Sequence, residues 1–197
     1  MSETTSVPAR RQSARLSRKR ESEPEVSQPV KQSRTSETKK QDKPATTPTA
    51  TASPKALRVG DALPDLTLLD QDEKPVKVAE LRKAVIFTYP KANTPGCTKQ
   101  AQCYRDATDD WTKIGYKVFG LSNDAPKSQR SWATKLGLSY QLLSDPKREL
   151  IGALTGGTAK TARSHFVIGE DGTLTLSSVG VKPVESSSAA LASVSST

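Results

Sequence analysis

Large apolar side chains are concentrated in one part of this chain, and that distribution limits which part can fold. Both Trp, all four Tyr and all three Phe residues follow Leu57, whereas residues 1–55 are crowded with Ser, Thr, Pro, Lys, Arg and Glu. A segment of the latter composition buries too little apolar surface to offset the entropy cost of ordering it. We therefore predict a disordered basic tail over residues 1–55, one folded domain over residues 56–185 and a flexible C-terminal end over residues 186–197.

The tail carries most of the positive charge of the chain. It holds 12 Lys or Arg residues against 6 Asp or Glu residues, and the net charge of the whole chain is +9. Two basic clusters in it, Arg10-Arg11 and Arg18-Lys19-Arg20, are spaced like a bipartite nuclear localisation signal, which an importin binds. We therefore predict a nuclear protein, with a solvated charge run as the alternative interpretation. A basic disordered arm is also typical of proteins that contact nucleic acid.

Other targeting and metal-binding signals are weak. No apolar run approaches the roughly 20 residues that a membrane helix needs, and the N-terminus lacks the apolar core of a signal peptide. A mitochondrial transit peptide is the alternative that is harder to exclude. Such a peptide needs a helix with an apolar face, and the start of the chain offers few apolar positions for one. Two Cys residues in an intracellular chain are more often reactive or buried thiols than a structural disulfide. With one distant His they form no closed zinc site, so we predict neither a metal nor a cofactor.

An alternation of apolar strands and helices predicts the fold class. Residues 84–89 form a continuous, β-rich apolar run that ends at Pro90, which indicates a central strand buried on both faces. Further strands are predicted over residues 116–121, 142–143, 163–168 and 173–179, the last two forming a hairpin, and helical segments over residues 98–113, 128–136 and 147–154. The Ser/Ala-rich residues 185–197 suit at most a short helix with a frayed tail. This order indicates an α/β fold with a central mixed sheet flanked by helices.

The loop after the first buried strand carries the strongest chemical signal. Cys97 lies there at the first turn of a predicted helix, where unpaired N–H groups and the helix dipole favour a thiolate, the nucleophilic form of a thiol. Thr94 is placed to direct a hydroxyl at the sulfur or at a bound oxygen. Pro90 and Pro95 stiffen the loop and help to shield the sulfur, and Gly96 allows a tight turn. From spacing alone, an inert Pro/Gly loop with a half-buried Cys fits equally well.

These residues resemble the active-site motif of the peroxiredoxins, Pro90-x-x-x-Thr94-x-x-Cys97. The longer run from Tyr89 to Thr98 is similar to the bacterioferritin-comigratory-protein branch, also called peroxiredoxin Q. Four further segments fit that branch: Arg105-Asp106, Gly120-Leu121-Ser122, Leu143-Ser144-Asp145-Pro146 and Arg163-Ser164-x-Phe166. The resemblance covers residues 57–182. With its basic N-terminal extension, the chain is most similar to the nuclear thiol peroxidases of fungi.

The resemblance implies a thioredoxin-like fold and a thiol peroxidase that reduces hydrogen peroxide or alkyl hydroperoxides. Cys97 would attack the terminal peroxide oxygen and become a sulfenic acid, with Pro90 and Thr94 completing the motif around it. Arg163 matches the arginine that the family brings from a distant strand to hold the thiolate and polarise the peroxide. A permanently charged group with several donors suits that role. Thioredoxin is the usual reductant of the family, and this branch is often monomeric.

The second cysteine departs from the pattern of the branch. A resolving cysteine usually follows the first by five residues, but Cys103 follows Cys97 by six, and Gln102 takes the usual place. Six residues of an intact helix advance about 9 Å, whereas a disulfide needs Cα atoms within about 7 Å. The resemblance implies that local unwinding brings Cys103 to Cys97. A buried apolar thiol, with resolution by an external thiol, is the alternative.

Two other functions stay open at this point. A thiol-disulfide oxidoreductase normally carries two cysteines separated by two residues, a spacing that this chain lacks. A non-enzymatic nuclear protein would use the fold only as a scaffold for its basic tail. The only histidine, His165, shares strand parity with Arg163, and we expect a packed or surface residue there rather than one that tunes the site.

Overall fold

The computed structural model of the protein describes residues 56–195, so the predicted tail and its two basic clusters lie outside the described residues. The strands are β1 (Thr67–Asp70), β2 (Pro75–Lys77), β3 (Ala84–Thr88), β4 (Lys117–Ser122), β5 (Gln141–Ser144), β6 (Ser164–Ile168) and β7 (Leu174–Val179). The helices are α1 (Pro95–Asp106), α2 (Thr108–Lys113), α3 (Pro126–Leu136), α4 (Glu149–Thr155) and α5 (Ser186–Ser195). Within residues 56–195, no helix is long and apolar enough to span a membrane.

The seven strands of the described residues form one mixed sheet in the order β2-β1-β5-β4-β3-β6-β7. Strand β4 pairs in parallel with β3 and with β5, and the other neighbouring strands pair antiparallel. All five residues of β3 are buried, because side chains from the helices cover both of its faces. The mixed sheet flanked by helices confirms the predicted fold class, and the pairing of β6 with β7 confirms the predicted hairpin.

Alternate residues of β3 point to opposite faces of the sheet, so they belong to separate cores. Ile86 belongs to a cluster that includes Leu150 of α4. Val85 and Phe87 belong to the cluster on the other face, where the rings of Phe87 and Tyr104 stack with centroids 4.3 Å apart. That ring contact holds α1 against β3, and α1 is the helix that carries the candidate nucleophile.

The helix predicted over residues 98–113 is wrong as a single element, because the chain is divided at Ala107 into α1 and α2. Ala107 has φ −96° and ψ 7°, away from α-helical values. The Thr108 hydroxyl donates to the carbonyl of Tyr104 at 3.0 Å, and such back-bonding bends helices. The break lets α2 bury Trp111 beside Tyr104, with ring centroids 6.5 Å apart.

The C-terminal residues form helix α5, so the short helix expected of the Ser/Ala-rich end is confirmed, and Ser186–Ser195 are not the flexible end predicted from residue 186. Ser186, Ser187 and Ala190 are buried, and α5 packs against α1 and β6. Small side chains let a helix approach its neighbours closely, so a Ser/Ala sequence is packed here without a stripe of large apolar residues. A prediction that looks for a stripe of large apolar residues therefore underestimates the length and order of this helix.

Replacing Gly120 tests how tightly the central sheet is packed. Gly120 lies in β4, and a Cβ there would lie 2.5 Å from Leu142 Cδ2 and 3.0 Å from Phe87 Cζ. We expect Gly120→Ala to lower the free energy of unfolding by about 1–3 kcal/mol, because buried side chains must move to admit the methyl group. Urea unfolding followed by circular dichroism measures the change. Gly157→Ala is the control, since a Cβ at Gly157 meets no atom within 4 Å, and equal effects of both substitutions would contradict this packing.

Candidate active site

Cys97 lies where the carboxyl end of β3 leads through a short loop into α1. Strand β3 ends at Thr88, and α1 begins at Pro95, a position where the missing N–H of proline costs no hydrogen bond. Thr94 precedes the helix in an extended conformation, and its carbonyl accepts the N–H of Thr98 at 2.8 Å. Cys97 therefore lies in the first turn of α1, as predicted, and only 1% of it is exposed.

The Arg163 side chain reaches the sulfur from the segment that leads into β6. Its Nη2 lies 3.5 Å from Cys97 Sγ, and its Nη1 donates to Gly96 O at 3.3 Å and to Gln100 Oε1 at 2.7 Å. A guanidinium is always charged and presents its donors in a fixed plane, so it favours negative charge on the sulfur. The structure thus brings together two predicted site residues that are 66 positions apart in the sequence.

Gln100 completes this arrangement, although nothing in the sequence pattern marked it as a site residue. It follows Cys97 by three positions, so both side chains lie on one face of α1. Gln100 is fully buried, with Oε1 bound to Arg163 and Nε2 donating to Ser186 Oγ at 3.2 Å. A polar residue three positions after a helical nucleophile is the signal that could have identified it.

Thr94 directs its hydroxyl to the loop that precedes it. The Oγ1 atom donates to Lys91 O at 3.0 Å, and the residue is half-buried. In this structure the Thr94 hydroxyl therefore stabilises the turn into α1, whereas the sequence predicts a hydroxyl aimed at the sulfur or at a bound oxygen. A contact between Thr94 and a bound peroxide stays a prediction.

Pro90 and Pro95, which the sequence assigns to shielding the sulfur, are both exposed. The apolar cluster that contains Cys97 includes instead the aromatic residues Tyr89 and Trp132, whose ring centroids lie 5.0 Å apart. Burial raises the pKa of Tyr89 far above its ordinary value, so its hydroxyl stays protonated and uncharged. Uncharged aromatic side chains, rather than the prolines, therefore pack in the cluster that contains the sulfur. The prolines contribute mainly a stiff backbone.

Asp124, which follows the end of β4 by two residues, anchors the loop between β3 and α1. Its Oδ2 accepts the N–H of Ala92 at 2.7 Å and the hydroxyl of Ser122 at 3.0 Å, and its backbone carbonyl accepts the hydroxyl of Ser144 at 2.8 Å. Ser122 and Ser144 end β4 and β5, which run parallel to β3. The carboxyl ends of three parallel strands are thus tied together at the loop that leads to Cys97, which is where α/β sheets place their sites.

Cys103 lies on the same helix as Cys97, and both cysteines are free thiols in this structure. Helix α1 is continuous over Pro95–Asp106, so the two residues are separated by about 9 Å along its axis. Cys103 is half-buried, whereas Cys97 is buried. A disulfide between them requires α1 to unwind locally, since the Cα atoms must come within about 7 Å of each other.

His165 packs against α5, as a buried residue of β6. Only 2% of it is exposed, and burial lowers its pKa, so the imidazole is neutral at neutral pH. Its Nδ1 lies 3.3 Å from Ser186 Oγ. The packed position expected from the sequence is confirmed. As strand parity predicts, His165 and Arg163 extend toward the same face of the sheet, where α1 and α5 lie.

Comparisons with known proteins identify the class to which this fold and site belong. Residues 59–177 match the model of the AhpC/TSA family. The peroxiredoxin bcp1 of Schizosaccharomyces pombe is 44% identical over 123 residues, which cover 59% of this chain and 63% of that protein. A putative peroxiredoxin of Mycobacterium tuberculosis is 39% identical over 137 residues, which cover 64% of this chain and 87% of that protein. The chain belongs to the AhpC/TSA family of peroxiredoxins.

A solved structure agrees with this assignment and narrows it to a branch. The bacterioferritin comigratory protein of Xanthomonas campestris, whose structures were described in connection with its alkyl peroxide reduction activity, is 27% identical to this chain. The two folds superpose with a TM-score of 0.64, covering 69% of this chain and 98% of that one. The thioredoxin-like fold and the similarity to the bacterioferritin-comigratory branch are therefore confirmed.

Gly96 provides a direct test of the arginine position. A Cβ at Gly96 would lie 3.1 Å from Arg163 Nη2, so the guanidinium must shift by a few tenths of an ångström. We expect Gly96→Ala to slow the oxidation of Cys97 by hydrogen peroxide by about tenfold. The melting temperature should stay equal or rise, because alanine is the better helix former. Stopped-flow kinetics and a thermal melt check the two parts, and an unchanged oxidation rate would argue against the contact.

Proposed function

We propose that this chain is a thiol-dependent peroxidase whose nucleophile is Cys97. The observation that carries the proposal is the distance of 3.5 Å between Arg163 Nη2 and the sulfur of a buried cysteine at the start of a helix. The relatives support the reaction class, because they are named peroxiredoxins. Hydrogen peroxide and alkyl hydroperoxides are the proposed substrates, and the activity named for the X. campestris protein supports the latter.

The first step transfers one oxygen atom to the sulfur. The Cys97 thiolate attacks the terminal oxygen of the peroxide, an S–O bond forms as the O–O bond breaks, and the sulfur loses two electrons. The leaving oxygen takes a proton and departs as water or an alcohol. Arg163 stabilises the negative charge as it moves from the sulfur to the leaving oxygen, because the guanidinium stays charged throughout. Pro90 and Thr94 form the loop beside the sulfur, where the Thr94 hydroxyl, which donates to Lys91 O, accepts a hydrogen bond from the peroxide.

The second step returns the sulfenic acid to a thiol. Cys103 attacks the sulfur of the Cys97 sulfenic acid, so an S–S bond forms and water is released, after α1 has unwound between them. Thioredoxin then reduces the disulfide to two thiols. The place of Cys103 near the end of α1 supports this route, since only Tyr104–Asp106 follow it in the helix, and its opening also breaks the buried contacts of Tyr104. Attack of an external thiol on the sulfenic acid is the alternative.

The two-cysteine reaction predicts a definite change in mass. After one equivalent of hydrogen peroxide, we expect the reduced protein to lose two hydrogen atoms, with the new bond mapped to Cys97 and Cys103. Gain of one oxygen on Cys97 would retain the peroxidase and assign the second step to an external thiol. Intact-mass spectrometry with peptide mapping distinguishes these results. A mass that stays unchanged over minutes would contradict the peroxidase and favour a scaffold role.

Variants with one cysteine are the matched controls for this experiment. Cys103→Ser should still gain oxygen at Cys97 but form no intramolecular disulfide, because the attacking thiol is missing. Cys97→Ser should consume no peroxide. Reduction of insulin disulfides by the wild-type protein without any peroxide would instead indicate a thiol-disulfide oxidoreductase.

We further propose that the basic tail directs this peroxidase to the nucleus through an importin. The clusters Arg10-Arg11 and Arg18-Lys19-Arg20 support the proposal by their spacing. Replacing these five residues with Gln should move a fluorescently tagged chain from the nucleus to the cytoplasm, because their charges make the contact with importin. Microscopy measures the nuclear fraction. The charge-matched control replaces five other basic residues of the tail, namely Lys31, Arg34, Lys39, Lys40 and Lys43. Equal losses from both sets would contradict a bipartite signal.

A further inference from the structure

We propose that Ser186, on the C-terminal helix, is a positioning residue for the peroxidase: it holds Arg163 beside the sulfur and keeps α1 helical. The inference rests on the proposed function of Cys97. Ser186 lies outside the segment that resembles the peroxiredoxin motif, and it is the first residue of α5. Its role follows from what its hydroxyl contacts.

The Ser186 hydroxyl is the centre of a buried polar cluster. Gln100 Nε2 donates to Ser186 Oγ at 3.2 Å, the Tyr104 hydroxyl lies 3.0 Å from it, and His165 Nδ1 lies 3.3 Å from it. The Tyr104 hydroxyl also lies 3.2 Å from the Ser186 carbonyl oxygen, to which it can donate. All four residues are at most 2% exposed, so water does not compete for these bonds.

The hydrogen-bonding capacity of the cluster is matched. A hydroxyl offers one donor and two acceptor sites. With a neutral His165 whose Nδ1 carries no proton, Ser186 donates to Nδ1 and accepts from Gln100 and from Tyr104, whose single proton is shared with the Ser186 carbonyl. A buried hydroxyl whose donor and acceptor sites are all used fixes the positions of its partners.

Two hydrogen bonds connect Ser186 to the arginine. The amide of Gln100 is planar, so the bond from Nε2 to Ser186 also fixes the direction of Oε1. That oxygen accepts Arg163 Nη1 at 2.7 Å, and Arg163 Nη2 lies 3.5 Å from Cys97 Sγ. Because the donors must meet the developing charge in a set geometry, fixing Gln100 increases the rate of the first step.

The same contacts join two successive turns of α1. Gln100 and Tyr104 are four positions apart on one face of the helix, and Cys103 lies between them in the sequence. A bond between Cys97 and Cys103 requires this stretch to leave the helix, so the contacts to Ser186 must break first. When Cys103 attacks the sulfenic acid, an S–S bond forms, the S–O bond breaks and water leaves. Ser186 therefore speeds the first step and slows the second.

The opposite effects set the lifetime of the sulfenic acid. A sulfenic acid that persists is open to a second peroxide, which oxidises the sulfur by two further electrons to the sulfinic acid. The Ser186 cluster therefore controls the balance between disulfide formation and overoxidation of Cys97.

Ser186→Ala, compared with Ser187→Ala, tests the inference in the full-length protein. Ser187 is the next residue of α5 and is 3% exposed, but its hydroxyl has no hydrogen-bond partner within residues 56–195. We expect Ser186→Ala to slow the oxidation of Cys97 by hydrogen peroxide about tenfold and to speed disulfide formation about threefold, as loss of a buried hydrogen bond would. Ser187→Ala should change neither rate by more than about twofold. Stopped-flow tryptophan fluorescence with quenched-flow mass spectrometry measures both rates.

Tyr104→Phe is the second variant, because it removes the hydroxyl and keeps the ring stacked on Phe87. Like Ser186→Ala, it should slow the oxidation of Cys97 and speed disulfide formation, but by smaller factors. This result tests the inference even where Ser186→Ala lowers the stability of the protein. Equal rates in Ser186→Ala and Ser187→Ala, or changes of both rates in one direction, overturn the inference. A sulfenic acid that forms no disulfide in any variant also overturns it. Failure of the wild-type protein to react with peroxide is a different result, since it overturns the proposed function itself.

Discussion

The hydrogen bond from Arg163 Nη1 to Gln100 Oε1 joins the sheet to the helix beside the sulfur of Cys97. Arg163 leads into β6, Gln100 lies one turn after Cys97, and the bond is 2.7 Å long. A guanidinium in a partly buried setting is costly unless fixed acceptors satisfy it. The Gln100 amide and the Gly96 carbonyl provide them, and both belong to the helix that carries the sulfur. The guanidinium of Arg163 is therefore held by two acceptors of α1, the helix that also carries Cys97.

The sheet supplies the rigidity that this arrangement needs. Strand β3 is buried on both faces, and its Phe87 stacks on Tyr104 of α1, so the helix is held against the sheet by ring contact. Asp124 ties the loop to the ends of β4 and β5 through hydrogen bonds to Ala92 and to two serines. The sheet thus holds the loop through Asp124, and it holds α1 through the contact of Phe87 with Tyr104. A buried sulfur at their junction has little freedom to move.

Motifs and composition are enough to single out Cys97 and Arg163, which the structure brings together, and to predict the central strand, which it confirms. Cys97 and Arg163 fall in sequence patterns of the family, and the run over residues 84–89 is apolar enough to mark a buried strand. Neither motifs nor composition identify Gln100 and Ser186, because each is defined by a contact with a residue far away in the sequence. Gln100 and Ser186 themselves are hydrogen-bonded across 86 positions. Helix α5 was underestimated because Ser and Ala bury little apolar area each, so its stability comes from close packing with α1 and β6.

The break at Ala107 gives α1 an end of its own within one turn of Cys103. Helix α2 is held by its own buried residue, Trp111, and is joined to α1 through Ala107, whose N–H donates to Cys103 O at 3.2 Å and whose carbonyl accepts the N–H of Trp111 at 3.1 Å. The cost of a local opening grows with the number of contacts that are lost together. The stretch of α1 that the proposed Cys97–Cys103 disulfide requires to open carries Tyr104, so each opening also separates the ring of Tyr104 from that of Phe87 and draws on the aromatic core.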